Sequence, residues 1–179
     1  MIYVALLRGI NVGGKNKVGM KELKQAFERV GMTSVVTYIN SGNIVFAADI
    51  HTKEQLTPIL EQAIYSQFEL QIKVLLYSSE EFQKINAAIP KNWSNDSQMK
   101  SDVLFLWQDV DEATVLERLV IKPQIDRVSY VPGAVLWSVD KDQVTKSGMM
   151  KVTGSALYRR ITVRNVNTVR KIAALLPQA

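Results

Sequence analysis

The stretch Arg8-Gly9-Ile10-Asn11-Val12-Gly13-Gly14-Lys15-Asn16-Lys17 combines three glycines with three cations, the residue types from which an anion site is built. Glycine lets the backbone take positive φ and lets its N–H groups approach a ligand closely, while Arg8, Lys15 and Lys17 supply charge for phosphate or carboxylate. The chemistry expected is therefore anion binding, with Asn11, Gly13 and Gly14 shaping the pocket. The Gly-Lys-Ser/Thr ending of a P-loop and the glycine spacing of a dinucleotide fingerprint are both missing. Ser41 and Asn43, either side of Gly42, are further polar candidates, and Arg164 and Asn167 form a third set near the chain end. The three sets are expected to meet around one polar site. Its ligand would be an anionic small molecule, such as a nucleotide or phosphorylated metabolite, or a nucleic-acid backbone. Two alternatives use the same residues: an enzyme acting on a phosphorylated small molecule, with an acidic residue moving the proton, or loops with a purely structural role.

Other chemistry is less well provided for. Ser41 with His51 would make a nucleophile and base, but a whole strand separates them and no third group is evident to orient the base. Asp109, Asp111 and Glu112 could hold magnesium or exchange protons, yet capping and dipole compensation at a helix start account for the same cluster. The sequence contains no cysteine, which excludes disulfides, thiolate catalysis and cysteine-ligated metal, and its single histidine is a poor basis for a metal site. No metal or cofactor is expected.

The elements that must position these residues follow from apolar spacing. Ile2–Leu7 reads as a buried strand, and Met20, Leu23, Phe27 and Val30 recur at helical intervals before Gly31. The basic loop therefore joins a strand to a helix N-terminus, where free N–H groups and the helix dipole favour an anion. Strands 34–39 and 44–47 flank the turn Asn40-Ser41-Gly42-Asn43 as a hairpin. A helix with Leu56, Ile59, Leu60, Ala63, Ile64 and Phe68 on its apolar face follows. Its start is either a capping box at Thr52 and Gln55 or an N-cap at Thr57 before Pro58. Strand 72–77 closes a β-α-β-β-α-β order.

Ser78 and Glu81 propose a further capping box, and the polar run 90–101 separates the two halves. Strand 103–107, a helix capped by Asp111 and carrying Val115, Leu116 and Leu119, strands 125–131 and 134–139, a loosely defined helical stretch near 143–150, strand 161–164 and a helix over 166–176 repeat the order. Asn165 is the expected N-cap of that last helix, and strand alternation places Arg160 and Arg164 on one face, with Arg159 opposite. The predicted fold class is α+β: two ferredoxin-like subdomains in tandem, residues 1–78 and 102–179, joined by a helix and polar connection over 79–101, with an extra C-terminal helix. The same layout serves RNA-recognition modules, for which Tyr3 and Phe46 would be the stacking rings, but the basic-aromatic consensus is missing and a core role is favoured.

Charge is unevenly spread. The net charge is +5, yet residues 141–179 hold eight Lys/Arg against one Asp, and residues 8–24 hold five against Glu22 alone. Such asymmetry suits an anionic partner. The chain begins directly on a strand pattern and has no apolar run of membrane-spanning length, so a cytoplasmic protein with no membrane contact is expected. Nothing in the residues specifies the oligomeric state.

Three segments resemble a known family, the bacterial domain of unknown function 1697 (DUF1697): Leu7 to Gly14, Thr37 to Phe46, and Thr162 to Val169. Asn40 stands where the family pattern usually has glutamine, and Val166 where it usually has an aromatic. The resemblance implies a small bacterial cytoplasmic protein with two α+β subdomains, and it implies neither an established activity nor a cofactor.

Overall fold

The computed structural model describes residues 1–49 and 52–178, so the base role considered for His51 lies outside the described residues. The chain is mixed α+β, with two four-stranded antiparallel sheets and several helices. It divides into two compact units, Met1–Phe82 with the residues from Ala174 onward, and Gln83–Ala173.

In the first unit, β1 (Ile2–Leu7), β2 (Thr33–Tyr38), β3 (Asn43–Ala47) and β4 (Val74–Ser78) lie in the order β2-β3-β1-β4, every neighbouring pair antiparallel. Helices α1 (Met20–Arg29) and α2 (Lys53–Phe68) cover one face. Alternation along β1 turns Tyr3, Ala5 and Leu7 toward the helices, where they join Ile44 and Phe46 of β3, Leu23 and Phe27 of α1, and Leu56, Leu60 and Ile64 of α2 in one core. Phe46 stacks on Tyr3 with centroids 5.8 Å apart and meets Phe27 edge-on at 5.5 Å. Both candidate stacking rings are thus buried against the helices and do not face a nucleic acid.

The earlier of the two starts for α2 is realised. Thr52 Oγ1 accepts from the Gln55 N–H at 3.3 Å while the Thr52 N–H donates to Gln55 Oε1 at 2.9 Å. Pro58 consequently sits inside the helix, five residues beyond the N1 residue Lys53. The box at Ser78 and Glu81 also forms and opens α3 (Ser79–Ala88). Its Glu81 carboxylate is further held by Lys53 Nζ at 2.6 Å. Burial would raise the pKa of Glu81, but the bonds from Lys53 and Ser78 outweigh it and keep it below the usual range.

In the second unit, β5 (Met99–Leu106), β6 (Arg127–Val131), β7 (Ala134–Asp140) and β8 (Ile161–Asn165) take the order β6-β7-β5-β8, followed by α4 (Val166–Ala174). The sheet-connecting segments differ from the sequence reading. The stretch after Asp111 is a single 3-10 helix, Ala113–Arg118, and the expected helix near 143–150 is three short ones, Lys141–Lys146, Gly148–Gly154 and Ala156–Arg160. Asp111 does not cap Ala113–Arg118, whose N-cap position is Glu112. Asp111 Oδ1 accepts from Tyr130 Oη at 2.9 Å and from the Gly133 N–H at 2.8 Å, so the carboxylate locks the β6–β7 turn. Desolvation and this carboxylate push the Tyr130 phenol up to about 12. Asn165 does cap α4, accepting from the Thr168 N–H at 3.0 Å.

Candidate functional site

The loop after β1 is a small hairpin of its own. Val12 and Lys15 form an isolated antiparallel bridge, the Lys15 N–H bonds the Val12 carbonyl at 3.0 Å, and the Asn11 N–H bonds that of Asn16 at 3.0 Å. Gly13 and Gly14 occupy the tip with φ of 58° and 74°, the paired positive values of a type I′ turn, which glycine adopts without steric cost. The tip is exposed, and so are Lys15 and Lys17. Among the described residues neither lysine forms an ion pair.

Asn11 and Asn16 pin the base of this finger. Asn11 Nδ2 donates to the carbonyls of Val18 and Asn40 at 2.9 and 2.8 Å, and its Oδ1 accepts from the Val18 N–H at 2.9 Å. Asn16 Nδ2 donates to the Gly9 carbonyl at 2.9 Å. Asn11 itself holds φ at 52°, a conformation asparagine tolerates better than most residues. Its side chain therefore shapes the loop from within and ties it to the β2–β3 turn. Asn11→Ala is expected to cost about 2 kcal/mol, from the lost bonds and the strained φ together. Chemical denaturation would read this, and a variant as stable as the parent would show that the finger does not depend on Asn11.

The first two polar sets do come together. Leu7 N–H donates to the Gly42 carbonyl at 2.9 Å, and a Cβ placed on Gly42 would lie 2.7 Å from Ile10 Cδ1 and 2.8 Å from Leu7 Cβ. Asn43 is only 1% exposed, with its Nδ2 donating to the Tyr38 carbonyl and to Ser41 Oγ, both at 2.9 Å. Asn43 braces the turn from inside, and Ser41, half-buried, is its partner. Arg8 is half-buried at the end of β1, where its N–H bonds the Lys73 carbonyl at 3.1 Å.

The helix N-terminus expected to receive the anion already carries one. No side chain caps α1 at Gly19, and a Cβ there would stand 2.1 Å from Glu22 Oε2, so the Glu22 carboxylate folds back over the first turn. The dipole that would favour a ligand is complemented by the chain's own acid.

Arg164 and Asn167 belong to the second unit and are engaged there. Arg164 is 7% exposed and bonds Thr162 Oγ1 at 3.0 Å and the Val163 carbonyl at 2.9 Å; burial draws its guanidinium pKa down to about 10. Asn167 Nδ2 donates to the Asn95 carbonyl at 2.9 Å. Arg159 and Arg160 lie in the 3-10 segment before β8, so strand alternation does not govern them. Arg160 pairs with Asp109 at 2.5 Å, and this bond lowers the pKa of Asp109. The acidic trio is accordingly dispersed, with Asp109 on Arg160 and Asp111 on Tyr130 and Gly133.

A family model for DUF1697, described as a protein of unknown function, matches residues 1–137. The chain belongs to the DUF1697 family. Among solved structures, the conserved bacterial protein SP0830 from Streptococcus pneumoniae is similar at 35% identity over 98% of both chains, with a TM-score of 0.83. No curated protein matches the chain. At Asn40 the backbone carbonyl, not the side chain, receives Asn11, so this bond does not depend on the residue type. Val166 is completely buried at the start of α4, a core position that presents no ring to solvent.

One residue carrying much of the second unit is invisible to the sequence reading. Asp126, 5% exposed, accepts four hydrogen bonds: from Trp137 Nε1 at 3.1 Å and Ser147 Oγ at 2.6 Å on one oxygen, and from the Lys122 and Gly148 N–H groups at 2.9 Å each on the other. Burial alone would raise its pKa, but these four donors outweigh that and lower it. The predicted strand from Ile125 hides this hub, because Ile125 and Asp126 instead turn back to the Lys122 carbonyl and β6 starts at Arg127.

Proposed function

We propose that the loop hairpin binds the phosphate backbone of a nucleic acid, with Lys15 and Lys17 as its principal cations, Arg8 adding charge at its base and the Gly13–Gly14 amides at its tip. The observation that carries this reading is the pairing of two exposed lysines, free of ion pairs among the described residues, with a loop whose base is held by five bonds from Asn11, Asn16 and the backbone of Asn11. An exposed loop tied down at its base suits an extended polyanion better than a small ligand, which needs a concave site. The carboxylate of Glu22 over α1 disfavours a phosphorylated metabolite at that helix end, and with it the enzyme acting on such a substrate. Arg164 and Asn167 take no part in this reading, since each is bonded within its own unit.

The test is fluorescence anisotropy with labelled single-stranded RNA and duplex DNA at low and near-physiological salt. The Lys15→Ala/Lys17→Ala variant should bind about tenfold more weakly at low salt and lose about two from the slope of log affinity against log salt. Equal affinity and slope in parent and variant would remove the loop from any nucleic-acid role.

We also propose that both units are ferredoxin-like copies of one β-α-β-β-α-β element, residues 1–78 and 102–179 joined by 79–101, the second copy having its sheet-crossing helices reduced to 3-10 turns. Their identical sheet order supports this, since each strand takes the place of its counterpart.

A further inference from the structure

We propose that the groove between α1 and α2 is a second binding site, for an amphipathic anion: an aliphatic carboxylate whose tail lies along α2 and whose head meets Arg29. The groove, open to solvent on one side, has a volume of about 490 Å³, within the range of small-ligand sites. It exists because Ala26 and Ala63 leave space where larger residues would bring the two helices' side chains together. Its two ends differ in chemistry.

Along α2 the lining residues recur at helical spacing, and their character changes in one direction. Pro58 and Ile59 are apolar, Gln62 and Ala63 make a mixed middle, and Ser66 and Gln67 are polar at the far end, while α1 adds Ala26 and Val30 to the apolar wall. At 1.5 Å per residue, Pro58 to Gln67 spans about 13 Å, enough for an extended aliphatic chain. Arg29 stands at the polar end: its Nη1 donates across the groove to Gln67 Oε1, which holds the guanidinium over α2. Arg29 is exposed and, among the described residues, forms no ion pair, so donors of its guanidinium fork remain for a carboxylate. The lining residues include this one cation and no acid. Charge and polarity therefore give the occupant an orientation, tail toward Pro58 and Ile59 and head toward Arg29. The groove shares no residue with the loop hairpin, so the two proposals stand or fall separately.

Decanoate, decanol and decyltrimethylammonium are the probes, titrated into the full 15N-labelled chain. Saturable amide shifts with decanoate should cluster at Ala26, Arg29, Ile59, Ala63 and Ser66. Arg29→Gln should weaken decanoate at least fivefold and leave decanol unchanged, and decyltrimethylammonium should bind worst. Ser66→Trp, a substitution at an exposed position, should fill the groove and abolish the shifts while the melting temperature stays near that of the parent. Shifts scattered outside the groove, or decanoate affinity indifferent to Arg29→Gln, would overturn the assignment. So would sedimentation showing a dimer that Ser66→Trp dissociates, because the groove would then be an interface between copies.

Discussion

Asp126→Ala is expected to lower the melting temperature by roughly 10 °C, the equivalent of about 4 kcal/mol for a chain of this size. Alanine removes a carboxylate on which four donors converge and leaves Trp137 Nε1, Ser147 Oγ and two backbone N–H groups without their acceptor. Each buried donor left unsatisfied costs about 1–3 kcal/mol, and water entering the cavity recovers part of the total. Asp126→Asn should cost less, about 2 kcal/mol, because one oxygen survives while the new amide confronts two N–H groups. The pH dependence has a definite sign. The folded carboxyl titrates below its ordinary value, so its contribution is complete above that value and is lost as pH falls through the lowered pKa. The stability gap between parent and Asp126→Asn should be constant from neutrality to about pH 5 and narrow below about pH 4. Thermal melts across that range check both statements. A melting temperature for Asp126→Ala within about 2 °C of the parent would mean that the four bonds do not organise the unit.

Gly42→Ala should destabilise by about 3 kcal/mol, well beyond what its backbone conformation alone explains. Two costs add at this position. A side chain at φ 83° is strained by roughly 1–2 kcal/mol, and the new methyl would press on Ile10 and Leu7, whose nearest atoms lie 2.7 and 2.8 Å away. Gly13→Ala separates the two terms. Its φ of 58° is equally positive, but nothing lies within 4 Å of an added Cβ, so it should show the strain without the clash. Urea denaturation of the pair should therefore give Gly42→Ala the larger loss by about 1–2 kcal/mol. Equal losses would show that the turn does not pack on the first loop as tightly as these distances require. Because Ile10 lies between the turn and the base of the finger, Gly42→Ala should also weaken nucleic-acid binding if Lys15 and Lys17 carry it.

Much of the architecture is legible in the residues because it depends on local chemistry. The alternation along Ile2–Leu7 and the spacing of Leu23 and Phe27 mark the faces that become the core. The capping boxes at Thr52 and Ser78 and the Asn165 cap are formed by residues three apart, within the reach of sequence reasoning. The helix after Asp111 fails for the opposite reason: its cap is taken by Tyr130 and Gly133, nineteen and twenty-two residues away. A carboxylate beside an apolar run reads the same whether it caps a helix or crosses to another strand.

The sequence by itself determined membership of a family, the order of strands and helices in the first unit, and the concentration of cations around residues 8–24, since motif, periodicity and charge are properties of residues in a line. Only the tertiary structure decided what those residues do. It tied the amides of Asn11 and Asn16 to the backbone of the loop and its neighbouring turn. It placed Glu22 over the helix end meant for a ligand, buried Arg164 and made Asp126 a hub. A polar side chain's role depends on which donors and acceptors folding brings within about 3 Å, and that proximity is set by packing across the whole unit.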